Sequence, residues 1–323
     1  MYCGVKLYIF ETVSAETPMS ATQVATALKL DPAHTYRLMR ALSSLNLLRE
    51  SADKNFVLTS EGAVLKAEHP QTLRGVVLME EGPVHYALWK HLPDIIRDGR
   101  QDAFVREFGH PAFEHTIQDE DYGQLFDNAM SSYSATQTLW ALQALDGFEE
   151  MGSIRTLCDV GGGQGHLLCS LLQKYKDIEQ GIVLEIPAVV NGQEKPKWAA
   201  AMKVEDRVSY REGNAFDNVE EADAVIMKMV IHCCNNEECV QILSNCLAAV
   251  PQGGFVMIVD HVVPDNNEPH FSKFLDIDMM CWGTGKERTE AEFEDLLTQA
   301  GWAFVRTYYP PEKNMGVVVG VKK

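Results

Sequence analysis

Asp159-Val160-Gly161-Gly162-Gly163-Gln164-Gly165 is the stretch whose reading decides the fold. An apolar run over 154–158 leads into it, and a helix-like run over 166–175 leaves it. Strand, glycine turn, helix is the way an α/β sheet brings bare backbone close to a ligand at the carboxyl ends of its strands. Glycines permit φ > 0 and remove the Cβ atoms that would hold a ligand away. The spacing excludes one class of ligand. A G-x-G-x-x-G register from Gly161 needs glycine where His166 stands, and one from Gly163 needs it at Leu168, so the dinucleotide fingerprint fails. Four glycines in five positions also exceed what an ordinary tight turn demands.

Downstream of the turn, apolar and helical runs alternate. The pattern predicts strands over 156–160, 181–185, 207–211, 222–229 and 254–260 with helices between them, which implies a parallel, doubly wound sheet. Runs over 302–309 and 316–321, joined by a turn at 310–314, add an antiparallel hairpin. An acid at the end of the first strand and a run of glycines suit S-adenosylmethionine, whose amino-acid moiety and ribose need hydrogen bonds and which has no pyrophosphate. Glu185 closes the second strand, placed to accept from ribose hydroxyls. After the third strand, Asn214 and Phe216 offer an amide and a ring for an adenine. Lys228 and His232 lie at the end of the fourth strand, on the rim where such sheets bind ligands. A lone histidine is more often structural, but an imidazole on that rim can take a proton from a phenol as its oxygen attacks a sulfonium methyl. Asp260 ends the fifth strand, and Glu287 lies in Gly285-Lys286-Glu287-Arg288-Thr289 at the entry to the last long helix. A carboxylate on the second ring nitrogen would fix the tautomer and stabilise an imidazolium.

Upstream, residues 14–64 read as a winged helix. Ser20 caps a helix reaching Leu28, Asp31-Pro32 starts the next, and a two-stranded wing follows over 49–59. Such a module can insert a helix into DNA. Here the second helix carries Arg37 and Arg40 without a basic cluster, which favours a structural or dimerising role. From 73 to 145 the pattern is helical, with Pro83, Pro93 and Pro111 as breaks. Its aromatic and methionine residues are mostly core, and a minority can wall an apolar substrate pocket. Residues 1–13 open inside an amphipathic helix, which leaves a true N-terminus upstream of Met1 open.

Composition sets the outer limits. The 323 residues suggest about two domains. A net charge of −18 argues against nucleic acid or an anionic membrane as partner. No apolar run is long enough for a membrane span. Residues 1–13 are broken by Lys6 and Glu11 and lack a signal-peptide cleavage site. Eight scattered cysteines read as reduced thiols of a cytoplasmic enzyme. His232, Cys233, Cys234 and Cys239 invite a zinc reading, but adjacent ligands chelate one metal poorly and no C-x₂-C pair is present, so no metal is expected.

With these residues in place, the chain resembles the S-adenosylmethionine-dependent O-methyltransferases of the acetylserotonin, caffeate and antibiotic-tailoring type. The resemblance covers nearly the whole chain: the winged helix, Phe126-Asp127-Asn128-Ala129-Met130, the glycine turn, His232, and Gly285 to Thr289. It implies an α/β fold, a Rossmann-like doubly wound sheet with a C-terminal antiparallel hairpin, preceded by an α-helical winged-helix domain. Residues 1–72 would form a winged-helix dimerisation domain and 73–323 the methyltransferase domain, with 73–150 lining the substrate and 151–323 forming the S-adenosylmethionine-binding core. The resemblance implies a homodimer in which His232 is the general base, flanked by Asp260 and Glu287. Ser134, Asp159, Gly161, Gly163, Glu185, Asn214, Phe216 and Lys228 would contact the cofactor. Phe126, Met130, Met279 and Trp282 would face the acceptor, a small aromatic molecule with an ionisable hydroxyl; nitrogen, sulfur and carbon acceptors stay open. The chain departs from the family in three places. Cys233-Cys234 replace its Asp-Trp, Glu185 its ribose Asp, and Asn214 its adenine-side Asp. Loss of the Trp opens a rival class, relatives that keep the cofactor yet catalyse a pericyclic or other non-methylating reaction; retention of His232 argues against it.

Overall fold

The computed structural model describes residues 1–191, 197–313 and 315–323. Asn314, the end of the expected 310–314 turn, lies outside the described residues. The chain forms two compact units: Met1–Lys90 with Glu107–Thr136, and His91–Arg106 with Gln137–Lys323.

In the first unit the caps act as the sequence predicts. Ser20 closes a capping box on the helix Ala21–Leu28: its hydroxyl accepts from the Gln23 N–H at 3.3 Å, and the Gln23 side chain accepts from the Ser20 N–H at 2.8 Å. Asp31 accepts from the His34 N–H at 2.8 Å and Pro32 opens the helix Pro32–Ser44. Three short strands, β1 (Met19–Ser20), β2 (Leu48–Glu50) and β3 (Asn55–Leu58), pair antiparallel in the order β1-β3-β2. Only β2 and β3 were expected. The N-terminal stretch is two helices rather than one, Tyr2–Lys6 and Ile9–Thr12, because Tyr8 between them is left-handed at φ 59°. Arg74 occupies the bend, with its guanidinium over the Tyr8 ring and hydrogen bonds to the Val5 carbonyl and Glu11. Ile9 and Phe10 are still wholly buried. The three prolines mark breaks in the helical pattern as expected, each at the start of a new helix: Pro83 and, in the second unit, Pro93 lie in first turns and Pro111 is an N-cap, where a missing N–H costs nothing.

The second unit is built on a seven-stranded sheet of β4 (Thr156–Val160), β5 (Gln180–Glu185), β6 (Val208–Glu212), β7 (Ala224–Lys228), β8 (Phe255–Asp260), β11 (Ala303–Tyr308) and β12 (Gly316–Val321). Its order is β11-β12-β8-β7-β4-β5-β6. The first five strands run parallel, and β12 is antiparallel to both β8 and β11. Strands covered on both faces read as continuous apolar runs, and Ala224–Met227 and Val256–Val259 are fully buried. A separate parallel ribbon joins β9 (Val262–Val263) to β10 (Arg288–Thr289). Strand order reverses between β4 and β7, so the carboxyl ends of these two neighbours form the topological switch point where open α/β sheets bind ligands.

Candidate active site

The turn after β4 is left-handed at three glycines, Gly161 (φ 66°), Gly163 (φ 55°) and Gly165 (φ 79°), a path that L side chains rarely take. A Cβ on Gly161 would meet Val230 at 2.8 Å, so the β4 and β7 loops touch there. A Cβ on Gly163 would meet nothing within 4 Å, so this part of the turn borders open space. Glu185 leans onto the turn. Its Oε2 accepts from the Gly163 N–H at 3.0 Å and its Oε1 from the Ile186 N–H at 2.9 Å, which leaves one lone pair on each oxygen for a diol.

Asp159 is buried, and both its carboxylate oxygens lack a hydrogen-bond partner. Burial pushes its pKa up to about 7, with Lys228 pulling it down and Glu185 pushing it further up. Lys228, the last residue of β7, donates from Nζ to Gln137 Oε1 at 3.0 Å. Its pKa is lowered by burial against the opposing effect of Asp159 and Asp260. A bare backbone cradle, a paired-acceptor carboxylate and a buried acid without a partner fit a cationic ligand with a ribose and no pyrophosphate. S-Adenosylmethionine meets that description.

His232 follows β7 in a short turn, Ile231–Cys233, entered through Met229 at φ 55°. It is buried, and its Nδ1 lies 2.8 Å from Glu287 Oε1. A carboxylate only accepts, so Nδ1 carries the proton and the lone pair of the neutral ring is on Nε2. Burial opposes the imidazolium, but the Cys233 sulfur and the Glu287 carboxylate favour it, and the net effect raises the pKa well above the usual value. Asp260, at the end of β8, is wholly buried and does not bond the ring; neither of its oxygens has a hydrogen-bond partner. Burial pushes its pKa up to about 7, opposed by His232, aided by Glu287, and opposed again by Arg288 and Lys228. Of the two acids expected beside the ring, Glu287 is in contact with it and Asp260 makes no hydrogen bond to it.

The other expected residues distribute as follows. Asn214 is exposed, and its Oδ1 accepts from the Phe216 N–H at 3.1 Å, so this side chain shapes the loop that packs Phe216 against the core. Phe126, Met130 and Ser134 are half-buried in the first unit, with Phe126 edge-on to Phe113. Met279 and Trp282 belong to the helix Phe271–Trp282 of the second unit, where Trp282 is edge-on to Phe104. Sequence reasoning missed Gln137, the partner of Lys228, which has no motif around it. It also missed Gln101, whose side-chain amide donates to the carbonyls of Gly283 at 3.0 Å and Gly285 at 2.8 Å.

Residues 89–303 match the model of the O-methyltransferase domain, and residues 1–65 that of the O-methyltransferase dimerisation domain. The chain belongs to the O-methyltransferase family. Among curated proteins, it is 31% identical over 323 residues to tricetin 3',4',5'-O-trimethyltransferase of Triticum aestivum, covering 96% of this chain and 85% of the relative. It is 27% identical to the phenazine O-methyltransferase PhzM of Lysobacter antibioticus, over 98% of this chain and 90% of that one. Among solved structures, it superposes on CalO1, a methyltransferase of calicheamicin biosynthesis in its SAH-bound form, with a TM-score of 0.87 at 28% identity, covering 100% of this chain and 93% of that one. The methyltransferase is thus of the type the sequence motifs indicate, and its cofactor is S-adenosylmethionine. Among the described residues no helix is long and apolar enough to cross a membrane.

Proposed function

We propose that this methyltransferase transfers a methyl group to the phenolic hydroxyl of a small, largely apolar aromatic molecule, with His232 as general base. The observation that carries the reading is the His232–Glu287 contact at the end of β7, which leaves Nε2 as the basic atom at the switch point. The cofactor, when bound, supplies a methyl already activated by a sulfonium. Asp159, Gly161, Gly163 and Glu185 hold it through the features described above, with Lys228 beside them. His232 Nε2 takes the acceptor's proton as its oxygen becomes nucleophilic, while Glu287 keeps the ring in the right tautomer and bears part of the imidazolium charge. Asp260, whose pKa is pushed up to about 7, adds a second negative charge only where the pH is high enough to ionise it. A placed base contributes roughly 10²–10⁴-fold, and alignment of the reacting atoms contributes roughly 7–11 kcal/mol. Within the second unit, Met279 and Trp282 give the acceptor apolar contact, in keeping with the tricetin and phenazine named in the two relatives. Residues 1–72 pair two subunits, a role supported by the match to a dimerisation domain.

Two measurements test this. Calorimetry should show binding of S-adenosylmethionine and S-adenosylhomocysteine but not of NAD; binding of NAD alone would overturn the reading. A mass-shift screen of phenols, catechols and aromatic amines with the cofactor should give products heavier by one methyl group from hydroxylated aromatics. A product formed without consumption of cofactor would identify the non-methylating class instead.

A further inference from the structure

Arg288 is the largest wholly buried side chain among the described residues, and no step above uses it. Its guanidinium spans the turn that carries His232. Nη1 donates to the Ile231 carbonyl at 2.9 Å and Nη2 to the Cys234 carbonyl at 2.8 Å, one carbonyl on each side of His232-Cys233. Nη1 also donates to the Lys286 carbonyl at 3.2 Å and Nη2 to Asn236 Oδ1 at 3.0 Å, while Nε has no hydrogen-bond partner. All four acceptors are uncharged, so this buried cation has no directly bonded counter-ion and is a poor device for stability alone. It is a good device for geometry, because five donors in a rigid plane fix several acceptors at once where an ammonium cannot.

The surroundings reinforce the clamp. Arg288 follows Glu287, and successive side chains of an extended segment point to opposite sides; one reaches the His232 ring and the other the carbonyls of Ile231 and Cys234. The Glu287 N–H is itself held by Asp276 Oδ1 at 2.9 Å, and Arg288 pairs with Val262 in the β9–β10 ribbon. At Gly285 a Cβ would stand 1.9 Å from the His232 carbonyl oxygen, so the two segments meet backbone to backbone.

We propose that Arg288 is a positioning residue for His232: by clamping the carbonyls on both sides of the turn, it sets the imidazole at hydrogen-bond distance from Glu287. The proposal rests on the reading of His232 as the base. Loosening the clamp lengthens the Nδ1–Glu287 contact and weakens the support that the carboxylate gives the charged ring. The other groups that act on the ring, Cys233 and Asp260, are left in place by the substitutions below.

The test is a pH titration of the ring nitrogens by NMR in protein labelled at histidine, with the His232 signal assigned by its loss in His232→Ala. In Arg288→Lys the His232 midpoint should fall by about half a pH unit or more, roughly a threefold loss of proton affinity, as it should in Glu287→Gln. The other nine histidines should titrate as before. An unchanged His232 midpoint in folded Arg288→Lys would overturn the proposal, and so would a common shift of all the histidines. If Arg288→Lys does not fold, Asn236→Ala, which removes one acceptor of the fork, carries the same test: a smaller fall supports the clamp and no change overturns it. The titration needs no turnover. Full methylation by His232→Ala would therefore sink the base reading and leave the clamp standing.

Discussion

At the scale of single residues, the site is a set of buried charges whose energies pull in different directions. His232 must be neutral to accept a proton, and its pKa is raised well above the usual imidazole value. The rate should therefore fall as pH drops through that raised value, and the acid limb of kcat/KM should lie above the midpoint of a free histidine. Replacing Glu287 by Gln should move the limb to lower pH while reducing kcat, which a pH–rate profile would show; a limb that stays in place would separate Glu287 from the ring. For Asp260, whose pKa is pushed up to about 7, the sign in stability is opposite to that of a salt-bridged carboxylate. Its contribution is present below the unfolded value of about 4 and is lost as pH rises towards 7. Asp260→Asn removes a buried charge without hydrogen bonds, so it should raise Tm at pH 8 by roughly 3 °C or more. The gain should shrink below pH 7 and vanish near pH 4, while methylation becomes slower. Calorimetric scans across that range check it.

At the scale of elements, substitutions at two glycines should separate binding from catalysis. Gly163→Ala places a methyl group in open space at a left-handed φ, so strain should cost about 1 kcal/mol while the methyl intrudes on the cradle. Cofactor affinity should fall about tenfold or more with little change in Tm, as calorimetry and thermal melts would report. Gly285→Ala drives a Cβ into the His232 backbone and should cost roughly 1–3 kcal/mol with a large loss of kcat. Legibility in the sequence follows the same physics. The parallel strands were readable because burial on both faces leaves runs such as Ala224–Met227, and the caps at Ser20 and Asp31 because their side chains carry the function. The β9–β10 ribbon has two residues per strand, too few for any periodicity, and the bend at Tyr8 depends on Arg74, distant in the chain. Glu287 was legible as a partner of His232, because a side chain meets a side chain. Arg288 stood in the same motif, yet its role was hidden because two of its acceptors are the backbone carbonyls of Ile231 and Cys234, which leave no mark on residue type.

At the scale of the molecule, the match of residues 1–65 to a dimerisation domain and a net charge of −18 predict a dimer that ignores duplex DNA. Light scattering should give twice the chain mass of 36.1 kDa, and a salt-sensitive shift of random duplex would contradict this. Stoichiometry is the sharpest test of the proposed proton transfer coupled to methyl transfer. With a phenolic acceptor found by the mass-shift screen, S-adenosylhomocysteine and methylated product should appear one for one. His232→Ala should lower both rates by about 10²-fold or more, keep cofactor affinity, and recover part of the activity at high pH where the phenol ionises without a base. Product without S-adenosylhomocysteine, or full activity in His232→Ala, would overturn methyl transfer with His232 as the base.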